Sequence, residues 1–175
     1  HHSDLVHRVQ AVSIAAPTPF HHSITKDFFL NGIDVLLEKP IANTLEEADE
    51  LNQLAESHGL IFQVGHLERF NGAFSSIEGI VQDPFFIESL RLSPFAGRAA
   101  DVNVVLDLMV HDIDIMLSLV NSKVKNVQAI GIPVLTSHFD IANARLEFEN
   151  GCIANLTASR VSKEKTRKTR IFQPN

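Results

Sequence analysis

Ile33-Asp34-Val35-Leu36-Leu37-Glu38-Lys39-Pro40 opens with five mostly apolar residues and closes on a charged pair and a proline. The run is too short for a helix and reads as a buried strand, with Pro40 locking the turn behind it. Upstream, His21 to Asn31 has a helical pattern closed by Asn31-Gly32, a C-cap signal. Val9 to Ala16 before it is a second apolar strand, ending abruptly at Pro17-Thr18-Pro19. Downstream, Thr44-Leu45-Glu46-Glu47 is a capping box that starts a helix running to about His58, and Leu60 to Val64 is a third strand. Strands without polar alternation, interleaved with helices, predict a parallel sheet covered on both faces. Ligands of such sheets bind outside the carboxyl ends of the strands. Those ends are Pro17-Thr18, Glu38-Lys39-Pro40 and Gly65-His66.

The texture changes at residue 68. Glu68 to about Val81 reads as helical, Asp83-Pro84 breaks it, and Phe86 to Leu92 alternates as a half-solvated strand does. After a loop over Pro94 to Asn103, Val104 to Val120 is apolar almost all the way round, as a helix inside a domain is. Strands are predicted over 124–134, 141–149 and 152–161, the last two joined by the hairpin signal Glu149-Asn150-Gly151. The predicted class is therefore α/β: a partial Rossmann-like parallel sheet over residues 1–67, then an α+β domain with a mainly antiparallel open sheet over 68–175.

In the buried helix, Asp107, His111 and Asp114 are spaced i, i+4 and i+7 and share one face. A carboxylate one turn before an imidazole can hold one ring nitrogen and leave the other as a general base. The plainer alternative is a satisfied core histidine with a structural acid beside it. Lys39, at a strand end, can donate to a substrate hydroxyl, although Glu-Lys-Pro by itself also fits a surface turn. His21 and His22 stand at a helix start, where backbone N–H groups favour anionic or ribose contacts; simple exposure is the alternative, preferred for His22. The basic stretch Lys163 to Arg170 is read as a solvated strand face, with a substrate phosphate contact as the lesser alternative.

Composition excludes several classes. The 175 residues are 45% apolar, enough for one large or two small globular domains, with net charge −6 and nine histidines uncounted, so no nucleic-acid or anionic-membrane surface is expected. The longest apolar stretch is interrupted by Asp107, His111, Asp112 and Asp114 and is not a membrane span. Cys152 is the only cysteine, which rules out an internal disulfide and a cysteine metal cluster and fits a cytoplasmic setting. His66 and His138 lack partners at metal-ligand spacing, so no metal is expected. No Gly-x-Ser-x-Gly occurs, and nucleophilic catalysis has no support.

Taken in order, Ala16-Pro17-Thr18-Pro19-Phe20-His21, Gly32 to Pro40 with Glu38-Lys39-Pro40, and Asp107-Leu108-Met109-Val110-His111-Asp112 resemble the Gfo/Idh/MocA oxidoreductases, over essentially the whole chain. The resemblance implies an NAD- or NADP-dependent dehydrogenase that oxidises a hydroxyl of a sugar or nucleotide sugar to a ketone. It assigns His111 as the base, Lys39 as the group that polarises the oxygen, and Asp107 as the residue that positions His111. Pro17, Thr18, His21, Glu38, Lys39 and Pro40 match positions that line the cofactor, and Lys39-Pro40 is a candidate cis peptide. Gly65 to Asn71, with Ser93-Pro94-Phe95 and Arg98, looks most like the branch acting on nucleotide-linked amino sugars, such as UDP-N-acetylglucosamine 3-dehydrogenases. Arg69 and Arg98 would then contact phosphate or cofactor. The family's open sheet implies a homodimer or homotetramer.

One feature of the family is missing. No Gly-x-Gly occurs, so the phosphate-cradling first unit of its Rossmann domain does not precede Val9, and further strands are implied beyond Asn175. These residues alone are therefore expected to bind a dinucleotide poorly and to be inactive. The rival function is a non-catalytic dinucleotide or sugar sensor of the same fold. A third is reduction in the opposite direction, as in the family's imine and biliverdin reductases.

Overall fold

The computed structural model describes residues 1–77, 79–97 and 102–174. The chain divides into two compact units, His1–His66 and Leu67–Asn175.

In the first unit β1 (Ala11–Ile14), α1 (His21–Leu30), β2 (Asp34–Glu38), α2 (Leu45–His58) and β3 (Phe62–Gly65) follow one another. The strands pair in parallel in the order β1-β2-β3, with Ile14 opposite Leu37 and Glu38 opposite Gly65. The helix ends obey the local signals. Thr44 Oγ1 accepts from Glu47 N at 3.2 Å, and the Glu47 carboxylate reaches back to Asn43 N at 3.0 Å, one residue earlier than the standard box. Gly59 closes α2 at φ +65°, a left-handed conformation that glycine adopts without penalty. Phe28 and Phe29 of α1, Leu51 and Ala55 of α2, and Ile14, Val35 and Leu37 of the strands form one core. Among the described residues the sheet is covered unequally. Val35 and Leu37 are buried, whereas Leu36, on the opposite face, is 43% exposed, so the expected cover on both faces is not met.

The second unit is a five-stranded mixed sheet in the order β5-β6-β7-β4-β8, from β4 (Phe86–Leu92), β5 (Val124–Ile132), β6 (Ile141–Phe148), β7 (Ile153–Ser159) and β8 (Thr166–Phe172). Only β4 and β7 are parallel; the other pairs are antiparallel. Gly151, at φ +88°, turns the β6–β7 hairpin. Alternation puts Ile87, Ala142, Ala144, Leu146, Ala154, Leu156 and Ala158 on the inner face, where they pack with Met109, Ile115 and Met116. The many alanines there let a helix lie close on the sheet.

Two expectations are corrected. The helix expected over 68–81 is a 3-10 turn (Leu67–Phe70) followed by the single-turn α3 (Gly72–Ser75), capped by Asn71. Gly72, Ser75 and Ser76 are weak helix formers, and α3 buries no residue that would compensate. The helix over 104–120 is not uniform: Val105–Met109 is a π-helical turn, and α4 proper is Val110–Leu119. The Val110 N–H donates to Val105 O, five residues back. The basic stretch is a strand face, as expected, since it forms most of β8 alongside β4, with Arg170 on Glu88 at 3.1 Å. No helix among the described residues is long and apolar enough to cross a membrane.

Candidate active site

In the first unit the carboxyl ends of three parallel strands open on one edge. Pro17 starts the 3-10 turn Thr18–Phe20, which runs directly into α1. His21 is 1% exposed, and its ring lies between two carbonyls, Nδ1 at 2.7 Å from Pro40 O and Nε2 at 2.7 Å from Ala16 O. The ring expected to face a ligand thus braces the segment after β1 against the turn after β2. Lys39-Pro40 is a cis peptide, as expected; Pro40 is buried, and Glu38 and Lys39 are half-buried. The Glu38 carboxylate lies over Gly65, where a Cβ would stand in van der Waals contact with it at 3.4 Å. His22 is engaged by Glu50 at 2.6 Å, as is Lys26. The Lys26 hydrogen bond, and then that of His22, hold the Glu50 carboxyl below its usual range. His22 is therefore part of a hydrogen-bonded network joining α1 and α2.

A dinucleotide fits the donor set of this edge in part. Thr18, in the turn after β1, and Lys39, directly after β2, carry a hydroxyl and an amine, while the glycine-rich phosphate loop is not among these residues.

In the second unit Asn103 caps the π turn: its side-chain oxygen accepts from Val105 N at 3.0 Å and Leu106 N at 3.1 Å, and its carbonyl accepts from Asp107 N at 3.1 Å. Asp107 stands in that turn and His111 in the first turn of α4, both half-buried. Asp114 meets Arg69 in a fork, Nε to Oδ2 at 2.7 Å and Nη2 to Oδ1 at 2.6 Å. Two of the three Arg69 nitrogens are thereby committed to Asp114, where the resemblance assigns them to cofactor; the hydrogen bond to Asp114 raises the guanidinium pKa further. Arg98 lies outside the described residues.

Sequence reasoning missed a second acid on α4. Asp112 is buried and forked by Arg91, Nε to Oδ2 at 2.6 Å and Nη2 to Oδ1 at 3.1 Å, and it also accepts from Ser89 Oγ at 2.9 Å. Arg91 reaches Glu68 with Nη1 at 3.2 Å. The signal was present: the alternation that buries Ile87 also turns Ser89 and Arg91 inward, and a buried arginine requires a buried acid. A further pair, Asp140 with Arg160, ties the loop after β5 to the end of β7, and Arg160 Nη1 donates to Val102 O at 2.7 Å just ahead of the π turn. No cluster of metal-ligating side chains occurs among the described residues.

Residues 1–66 match the oxidoreductase family with an NAD-binding Rossmann fold, and residues 72–173 match the GFO/IDH/MocA C-terminal domain. The chain belongs to the Gfo/Idh/MocA oxidoreductases. Within this family it is 37% identical over 169 residues to UDP-N-acetylglucosamine 3-dehydrogenase of Acidithiobacillus ferrooxidans, covering 96% of this chain and 54% of that protein. A solved structure of that enzyme superposes with TM-score 0.91 at 36% identity, covering 98% of this chain and 57% of the other. Scyllo-inositol dehydrogenase from Lactobacillus casei, solved with NAD(H) and scyllo-inositol, superposes with TM-score 0.82 at 25% identity, covering 98% and 57%. The chain spans about half the length of the curated relatives it matches.

Proposed function

We propose that the protein containing this chain is an NAD- or NADP-dependent dehydrogenase that oxidises a secondary hydroxyl of a nucleotide sugar or a polyol to a ketone. The observation that carries the reading is the placement of Asp107 in a π turn that runs into the first turn of α4 with His111, in a family member that keeps Lys39 directly after β2. Lys39, Asp107 and His111 are proposed to act on one hydroxyl. The His111 ring accepts the hydroxyl proton, and Asp107 keeps the ring in the tautomer that can do so. The Lys39 ammonium donates to the same oxygen and stabilises its alkoxide character as the C–H bond weakens. The bound nicotinamide would supply the hydride acceptor. Pro17, Thr18, Glu38, Lys39 and Pro40 would line its side of the sheet, with His21 bracing that wall from behind. Nucleotide-linked amino sugars are the preferred substrate class, supported by the 37% identity to the UDP-N-acetylglucosamine enzyme.

The protein is further proposed to be cytoplasmic, in keeping with a lone buried thiol, and to assemble as a dimer or tetramer through the open sheet face. A non-catalytic sensor would have no use for a base with its orienting acid. The test mixes full-length protein with NAD or NADP and a panel of UDP-sugars and inositols, following reduced nicotinamide by absorbance. Turnover of at least one substrate is expected; cofactor binding with no turnover across the panel would establish the sensor instead.

A further inference from the structure

Asp112 and Asp114 are two residues apart on α4, so at about 100° per residue their side chains leave the helix roughly 160° apart across the face that carries His111. His111 falls between them, about 100° from Asp112 and about 60° from Asp114 on the other side. Each flanking carboxylate is gripped by the planar fork of an arginine, Asp112 by Arg91 and Asp114 by Arg69, with hydrogen bonds of 2.6–3.1 Å. Both grips return to the 3-10 turn Leu67–Phe70: Arg69 belongs to it, and Arg91 is bound to its neighbour Glu68. Glu68 is in turn held by Asn71 at 3.0 Å and Arg167 at 3.3 Å.

We propose that Arg69 and Arg91 are positioning residues for the reaction, clamping α4 from two sides so that it cannot roll and thereby fixing the direction in which the His111 ring points. The proposal rests on the reading of His111 as the base.

Stability alone is a poor reason for such an arrangement. Exchanging a buried ion pair for well-packed apolar residues is often neutral or stabilising. Apolar contacts along the inner face, by contrast, permit small rotations, because Met109, Ile115 and Met116 meet alanines and aliphatic side chains through contacts that have no fixed direction. A forked pair has one geometry, so two of them on opposite flanks remove that freedom. The requirement is strict, since misplacing a catalytic group by about 1 Å can cost on the order of 100-fold in rate. The same clamp accounts for Arg69 being turned to Asp114.

The test uses full-length protein with NAD and UDP-N-acetylglucosamine as probe. The Arg69 side chain is 51% exposed, so Arg69→Met is expected to fold. Its kcat should fall about tenfold or more while KM for both ligands stays within about twofold, as expected for loss of an interaction that serves the transition state. The charge swap Arg69→Asp with Asp114→Arg should recover most of the loss, which a general loosening of the fold would not do. A second readout needs no turnover: hydrogen exchange of the amides of Val110–Leu119 should speed up in Arg69→Met while those of β6 and β7 stay unchanged. Unaltered kcat in Arg69→Met beside an inactive His111→Ala overturns the clamp and leaves the base assignment standing. Unaltered exchange in α4 overturns the clamp whatever the probe does, and a wild type that turns over none of the UDP-sugars and inositols of the panel removes the reading of His111 independently.

Discussion

In the proposed reaction Lys39 and His111 would divide a single problem, a proton that must leave an oxygen while a hydride leaves the carbon that bears it. Lys39→Ala and His111→Ala in full-length protein are each expected to lower kcat/KM by about 100- to 10,000-fold, the range for removing a positioned acid or base. Asp140 presents a different residue-scale chemistry. Burial pushes its carboxyl upward, but N–H donors from Thr136 and Val134, the Arg160 guanidinium and Leu135 N–H together hold it far below the usual carboxylate range. A depressed folded-state value means that Asp140 stabilises the fold above its ordinary value of 3.8 and that this contribution is lost as pH falls below it. Melts at about pH 7 and about pH 3 should therefore show a smaller difference in Tm for Asp140→Asn than for wild type, from a lower starting point at neutral pH.

Among the elements, α4 and the strands beneath it make the most specific claims. Arg91→Leu leaves Asp112 as an uncompensated buried charge and is expected to cost about 3–5 kcal/mol, read as a lowered denaturant midpoint. On β5, a Cβ added at Gly131 would stand 2.6 Å from the Phe139 ring, so Gly131→Ala should lower stability by about 1–3 kcal/mol unless the ring swings out to solvent. The strands and the hairpin at Gly151 were legible because apolar runs and turn residues act locally. The π turn was not, since one extra residue in a turn leaves the apolar texture of Val104 to Val120 unchanged. The short α3 was misread because Phe74 and Ile77 lend helical spacing to a segment whose Gly72 and Ser75 cannot sustain it.

At the scale of the molecule, two units each carry a core of their own, one around Phe28, Phe29 and Leu51 and the other around Ile87, Met116 and Leu156. Leu51→Ala is expected to cost about 2–5 kcal/mol and to speed hydrogen exchange across β1–β3, with the β4–β8 sheet much less affected. The candidate site could be nominated from the sequence where a motif names its residues, as Glu38-Lys39-Pro40 and Asp107 to His111 do. It was not legible where partners meet only through tertiary structure. Nothing near Arg69 announces Asp114, 45 residues on, as the acid in its fork, and nothing near Asp140 announces Arg160.

The most direct test of the proposed chemistry is the pH dependence of kcat/KM for full-length protein, measured on whichever nucleotide sugar or inositol it turns over, in wild type and in His111→Ala. Wild type should lose rate as the pH falls and a group in the histidine range gains its proton, and His111→Ala should be slower throughout with that acid limb gone. The same limb persisting in His111→Ala, at a rate near that of wild type, would contradict the assignment of this histidine as the base.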